Sequence, residues 1–137
     1  MNSRRKGREY GLQMLYAMEV GKQSFGSASS EVPGDEDFTE EAKHYGSLLA
    51  EKVMANMEDI DLKIKESSSN WDMERIAVVD KIIIRCSVAE MLFFKDIPIR
   101  VSINEAIDIA KKYSTENSSR FVNGVLDSIA RQSSNLN

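Results

Sequence analysis

With 137 residues, 42% of them hydrophobic and 29% charged, the chain has the size of one domain and can bury roughly two thirds of its unfolded surface. Two prolines and seven glycines argue against extended disorder, and no apolar run approaches the ~20 residues that span a bilayer. The start lacks the apolar stretch of a signal peptide, so a cytoplasmic protein with no membrane association is expected.

The first periodic segment covers 3–20, with Leu12, Leu15 and Tyr16 on its core side and Gly21 as the stop. Arg4, Arg5, Lys6 and Arg8 all precede the first acid, Glu9. Without those four cations the chain holds 14 basic against 22 acidic residues, so an acidic body carries a basic head. That asymmetry predicts a local contact with a polyanion. At about 100° per residue, Arg4, Arg5 and Arg8 project into the sector of Leu12 and Leu15. The later turns of this stripe face a core, and its first turns are expected to run past the core's edge and offer guanidinium groups outward. Cations at a helix start oppose the macrodipole, so stability does not account for them.

The stretch 22–37 is rich in Ser, Gly and acids, shows no period and is expected to be a mobile loop. A second helix starts near Thr39, with Tyr45, Leu48, Leu49, Val53 and Met57 on its apolar side. His44 has no Cys or second His at ligand spacing and is assigned to the surface. Asp59 can cap a short third helix in which Ile60 and Ile64 are one turn apart, and the run SSSN at 67–70 breaks the chain. From 79 to 94 the apolar positions are so dense that this element should be central, touched on several sides. The lone Cys86 within it is a small buried hydrophobe. Pro98 lies in the next connection. Ser102 and Glu105 then stand at capping-box spacing, ahead of the stripe Ile103, Ala106, Ile107 and Ala110.

The last element contains RFVNGVLDSIA, 120–130, in which two patterns compete. Asn-Gly between apolar residues signals a hairpin. Val122, Val125, Leu126 and Ile129, however, fall at helical spacing, and the helix wins. Glycine inside a helix costs about 1 kcal/mol relative to alanine. Gly124 is therefore expected to let a neighbouring helix approach closely. A polar tail at 132–137 ends the chain. No strand survives this pass, and the domain over 1–137 is all-α, with six or seven helices.

No Gly-rich phosphate loop, no G-x-S-x-G elbow and no paired cysteines occur, and one histidine alone could serve as a base. Binding is favoured over catalysis; no catalytic residue, metal site or cofactor is assigned. The opening RRKGREYGLQMLYAMEVG resembles the start of the NusB family, bacterial transcription antitermination factors. IPIRVSINEAIDIAKKYSTENSSRFVNGVLDSIA resembles that family's C-terminal signature, and DKIIIRCSVAEML its central helices. The resemblance implies the NusB fold, two small helical bundles packed across one another. It also implies a non-enzymatic function: binding the boxA element of nascent ribosomal RNA together with a ribosomal small-subunit protein, NusE, and helping to assemble the RNA polymerase antitermination complex.

By this resemblance RNA contacts fall on Arg4, Arg5, Lys6 and Arg8, and on Tyr113, Asn117, Ser118, Arg120 and Phe121. Bases of a single strand can stack on aromatic rings, so Tyr113 or Phe121 is either platform or core. Tyr16, Glu74 and Asp80 fall on partner-binding positions, although a helix-capping role accounts equally well for the two acids. Many relatives carry Asp where this chain has Asn117, and Gly7, where they carry Ala, is expected to weaken the helix so that the basic arm orders on contact with RNA. Two rivals stand beside this reading. One is the NusB-like domain of a ribosomal RNA cytosine methyltransferase, for whose methyl-donor domain a chain ending at Asn137 is expected to lack room. The other is a protein-interaction adaptor whose basic head merely solubilises. Oligomeric state is left open between monomer and homodimer.

Overall fold

The computed structural model describes residues 3–22, 37–69, 71–72 and 74–132. The expected loop at 22–37 and tail at 132–137 lie, apart from their outermost residues, outside the described residues. Six helices follow in order: α1 Ser3–Val20, α2 Glu40–Ala55, α3 Met57–Ser67, α4 Val78–Phe93, α5 Ile99–Tyr113 and α6 Glu116–Gln132. No strand occurs among the described residues, in agreement with the all-α expectation.

Helix α4 is the axis of the fold. It contacts each of the other five helices, and every residue from Asp80 to Met91 is buried, as the density of apolar positions predicts. Around it, α1 pairs with α2 and α5 pairs with α6, while α3 bridges to α6. The core joins Leu12, Met14 and Leu15 of α1 to Leu49 and Val53 of α2, Ile84 and Val88 of α4, Ile103 of α5, and Leu126 and Ile129 of α6.

The α1–α2 crossing is built on glycine. A Cβ on Gly46 would lie 2.5 Å from the Gly7 carbonyl oxygen, and one on Gly11 would lie 2.9 Å from the Gly46 carbonyl oxygen. Both distances are inside any real contact, so the two backbones touch where side chains would keep them apart. Gly7 meets Ala42 and Tyr45, Gly11 meets Gly46 and Met14 meets Ser47. Residue numbers thus rise together along the two helices, which run side by side in the same sense. A parallel pair cannot be joined by a short turn, because the chain must return along the length of the first helix; 19 residues separate Val20 from Glu40.

This crossing corrects two expectations. Gly7 does not loosen α1; it is buried in a helix already formed from Ser3. Gly124 does not admit a neighbouring helix, since a Cβ there would meet nothing within 4 Å. Two helix starts also move. Helix α5 begins at Ile99, behind Pro98, so Ser102 and Glu105 are interior residues whose polar side chains reach other helices. Helix α3 begins at Met57, with Asn56 at the cap position and Asp59 inside the first turn. Thr39 does cap α2, its hydroxyl accepting from the Ala42 N–H at 3.1 Å.

Candidate nucleic-acid interface

The acidic body reaches the basic head, which corrects the expectation that Arg4, Arg5 and Arg8 stand clear of it. Helix α5 lies along the start of α1, and the 94–98 connection closes over its end, so carboxylates fall within reach of each guanidinium. Arg4 pairs with Asp96 at 2.8 Å, its guanidinium carbon 5.4 Å from the centre of the Tyr45 ring. Arg5 makes a two-pronged contact with Glu105, at 2.8 and 2.7 Å, and a third with Asp108 at 2.8 Å. Arg5 holds the Glu105 carboxyl below the usual carboxylate range, first by its hydrogen bonds and then by its charge. Arg4 does the same to Asp96, its hydrogen bond again the largest cause. Lys6 stays exposed, with its ammonium 5.9 Å from the Phe38 ring centre.

Arg8 has gone furthest inward. It is 7% exposed, and its Nε donates to Glu90 at 2.7 Å. Glu90, 1% exposed, also accepts from the Tyr45 hydroxyl at 2.5 Å and from Ser102 Oγ at 2.7 Å. Ser102 in turn lies 2.9 Å from Ser87 Oγ. A charge taken out of water must be paired and hydrogen-bonded, and this carboxylate is met by three donors. Burial, reinforced by the charge of Glu90, pushes the Tyr45 hydroxyl pKa well up, so Tyr45 remains a donor. Burial likewise raises the Cys86 thiol and keeps it unreactive. The sequence signal for this network was an acid, Glu90, standing alone inside the most apolar run of the chain.

The junction between α5 and α6 lies against the next turns of α1. Glu9 accepts from Lys112 Nζ at 2.9 Å and from the Tyr113 hydroxyl at 3.0 Å, and Gln13 donates to Tyr113 at 3.1 Å. Tyr113 is half-buried, and that burial is the main reason its hydroxyl pKa is raised. At the start of α6, Thr115 Oγ1 accepts from the Ser118 N–H at 3.1 Å, and Ser114 donates to the Ser118 hydroxyl at 2.8 Å. Asn117 and Arg120 are exposed, the guanidinium 3.5 Å from the Asn117 amide oxygen. Phe121 is half-buried on a ridge between two grooves. One groove, about 530 Å³, has Asp80 in its lining. That carboxylate is 6% exposed, and its Oδ1 is buried without a hydrogen-bond partner.

Side-chain contacts therefore tie the α5–α6 junction to α1 through Tyr113, while Asn117, Ser118, Arg120 and Phe121 continue onto α6 and Asp80 lines a groove with Phe121. The other two candidate partner residues sit elsewhere. Glu74 is exposed in the turn before α4, its N–H donating to Asp72 at 3.1 Å. Tyr16, expected on the core side of α1, is 42% exposed, although it shares the face of Leu12 one turn earlier. His44 is exposed. No group of three metal-ligating side chains stands together, and no helix is long and apolar enough to cross a membrane, among the described residues.

A model described as the NusB family matches residues 5–131. The chain is 45% identical over 126 residues to the transcription antitermination protein NusB of Chloroherpeton thalassium, covering 91% of this chain and 60% of that protein. It is 43% identical over 127 residues to the Listeria monocytogenes protein of the same name, covering 93% and 95%. It therefore spans about three fifths of the first relative and nearly all of the second. A crystal structure of the antitermination factors NusB and NusE in complex with dsRNA matches with a TM-score of 0.85 at 27% identity, covering 96% of this chain and 98% of that one.

Proposed function

The chain belongs to the NusB family, and from that premise we propose that it is a transcription antitermination factor. It binds the boxA element of nascent ribosomal RNA together with the ribosomal protein NusE and helps assemble the antitermination complex on RNA polymerase. The observation that carries this reading is that the family likeness covers Arg5, Lys6 and Arg8 together with the α5–α6 junction, where Tyr113 donates to Glu9 of α1.

In this reading Arg4, Arg5 and Lys6 meet phosphates, and Arg5 exchanges Glu105 and Asp108 for them. Arg8 contributes by holding α1 on Glu90 and so aiming its neighbours. Asn117, Ser118 and Arg120 offer donors to base edges and phosphate, and Phe121 offers a face for stacking. Tyr113, its hydroxyl already tied to Glu9, presents ring rather than hydroxyl. Tyr16 and Glu74 are exposed for NusE, and Asp80 lines the groove beside Phe121.

The test is a titration of boxA RNA, with and without NusE, over a range of salt. For a single strand, the slope of log affinity against log salt is about 0.7 per phosphate contact. Replacing Arg4, Arg5 and Lys6 by Gln should weaken binding and reduce that slope by about 2. Binding indifferent to the three replacements would favour an adaptor that does not grip RNA.

A further inference from the structure

Four glycines lie inside helices, and three are explained by the fold. Gly7, Gly11 and Gly46 sit where α1 and α2 touch. Gly124 is different. It is exposed in the middle of α6, its backbone is ordinary right-handed helix, and an added Cβ would meet nothing within 4 Å. Glycine there weakens the helix relative to alanine, and no contact within the described chain gives a return for it.

What Gly124 faces is an open groove of about 640 Å³ between the end of α3 and the side of α6. Its charged lining residues are Lys65, Glu66 and Arg120, a net positive charge on an otherwise acidic body, and Phe121 stands at its lip. The walls are fixed to each other, since Ser128 of α6 donates a hydrogen bond to the Ser67 carbonyl at the end of α3. Past Phe121 lies a second groove, lined also by Asp72, Arg75 and Asp80.

We propose that the α3–α6 groove seats one nucleotide of a single-stranded RNA. Its sugar and phosphate lie on the bare helix surface at Gly124, its phosphate is met by Lys65 and Arg120, and its base lies against the Phe121 ring. Aromatic faces, short polar side chains and cations in one groove are what a single strand needs. The inference rests on the RNA-binding function proposed above and extends it to Gly124 and to Lys65 of α3, a helix on which the family resemblance placed no RNA contact.

The test uses the full chain and a short fluorescein-labelled boxA RNA in anisotropy titrations. Gly124→Leu, which fills open space and touches no core residue, should weaken RNA binding by about tenfold, the scale of one lost stacked base. Gly124→Ala should weaken it by about threefold while raising the melting temperature by about 2–4 °C, since alanine favours the helix. A weaker but more stable variant cannot be explained by misfolding. Lys65→Gln should lower the salt slope by about 0.7. Gly124→Leu within twofold of the parent overturns the groove alone. Loss of NusE binding in the absence of RNA, with RNA affinity intact, also overturns it, because the occupant would then be protein. A parent chain that ignores boxA RNA even with NusE present overturns the function, and the groove with it.

Discussion

The cations at the start of α1 and the one at the start of α6 look alike in the sequence and differ in what they touch. Arg4, Arg5 and Arg8 each meet a carboxylate, whereas Arg120 faces the neutral amide of Asn117. The charge of a segment is legible from its residues; its availability is set by the partners that other helices bring. Within the first group a second division appears, because Arg8 is locked into the core with Glu90 while Arg4 and Arg5 lie over exposed or partly exposed acids.

The hardest way to break this division is to remove Arg8. Arg8→Ala would leave the Glu90 carboxylate buried with its cation gone, and removing one partner of a buried pair costs about 3–5 kcal/mol. Urea unfolding should record that loss, and Arg8→Ala with Glu90→Gln should recover part of it, since no charge is then stranded. A loss under about 1 kcal/mol would mean that Arg8 is as free as Arg4 and belongs with the surface cations.

Glycine offers the same contrast between regions. Gly46→Ala pushes a methyl into the Gly7 carbonyl and should destabilise by about 1–3 kcal/mol through overpacking. Gly124→Ala, in open space, should stabilise by about 1 kcal/mol. Thermal melts of the two variants should move in opposite directions, and a shared direction would refute the assignment of these two glycines to different causes.

Much of the architecture was legible, and the failures have one origin. Helix α1 is legible from its apolar period and the stop at Gly21, and α4 declares itself central through sheer apolar density. Ser102 and Glu105 reproduce the spacing of a capping box, yet the helix had already begun at Ile99. Their side chains serve Glu90 and Arg5 instead. Spacing reports what a local motif could satisfy, and tertiary contacts decide what it does satisfy. Gly7 and Gly124 were interchanged for the same reason: a glycine's purpose depends on what approaches it, and no single segment contains that approach. The candidate site was visible as two separate basic or aromatic segments. Glu9, which joins them, and Asp96, Glu105 and Asp108, which hold the first, could be seen as charges but not as partners.

If RNA takes Arg4 and Arg5 from their acids, those acids compete with phosphate. Asp96→Asn with Asp108→Asn should therefore tighten boxA binding by about three- to tenfold at low salt, with the gain shrinking as salt screens both pairings. Anisotropy titration reads this directly. Weaker binding would show that the acids hold the arginines in the geometry that RNA requires, and the α1 cations would then be preorganised rather than restrained.

The smallest effect separates the two groups by pH. The carboxyls of Glu105 and Asp96 are held below their ordinary range by Arg5 and Arg4, so their contribution to stability is fully present above the unfolded carboxylate pKa of about 4. It is lost as pH falls through the lower folded values, because the unfolded chain then binds protons more readily than the folded one. For pairs this exposed, solvent screening keeps the loss small. Melting curves between neutral pH and about pH 3 should show a shallower acid limb in Glu105→Gln than in the parent. Asn117→Ala removes no carboxyl and should leave the limb unchanged. An acid limb of equal steepness in the parent and Glu105→Gln would show that the Arg5–Glu105 pair does not set the acid sensitivity of the fold.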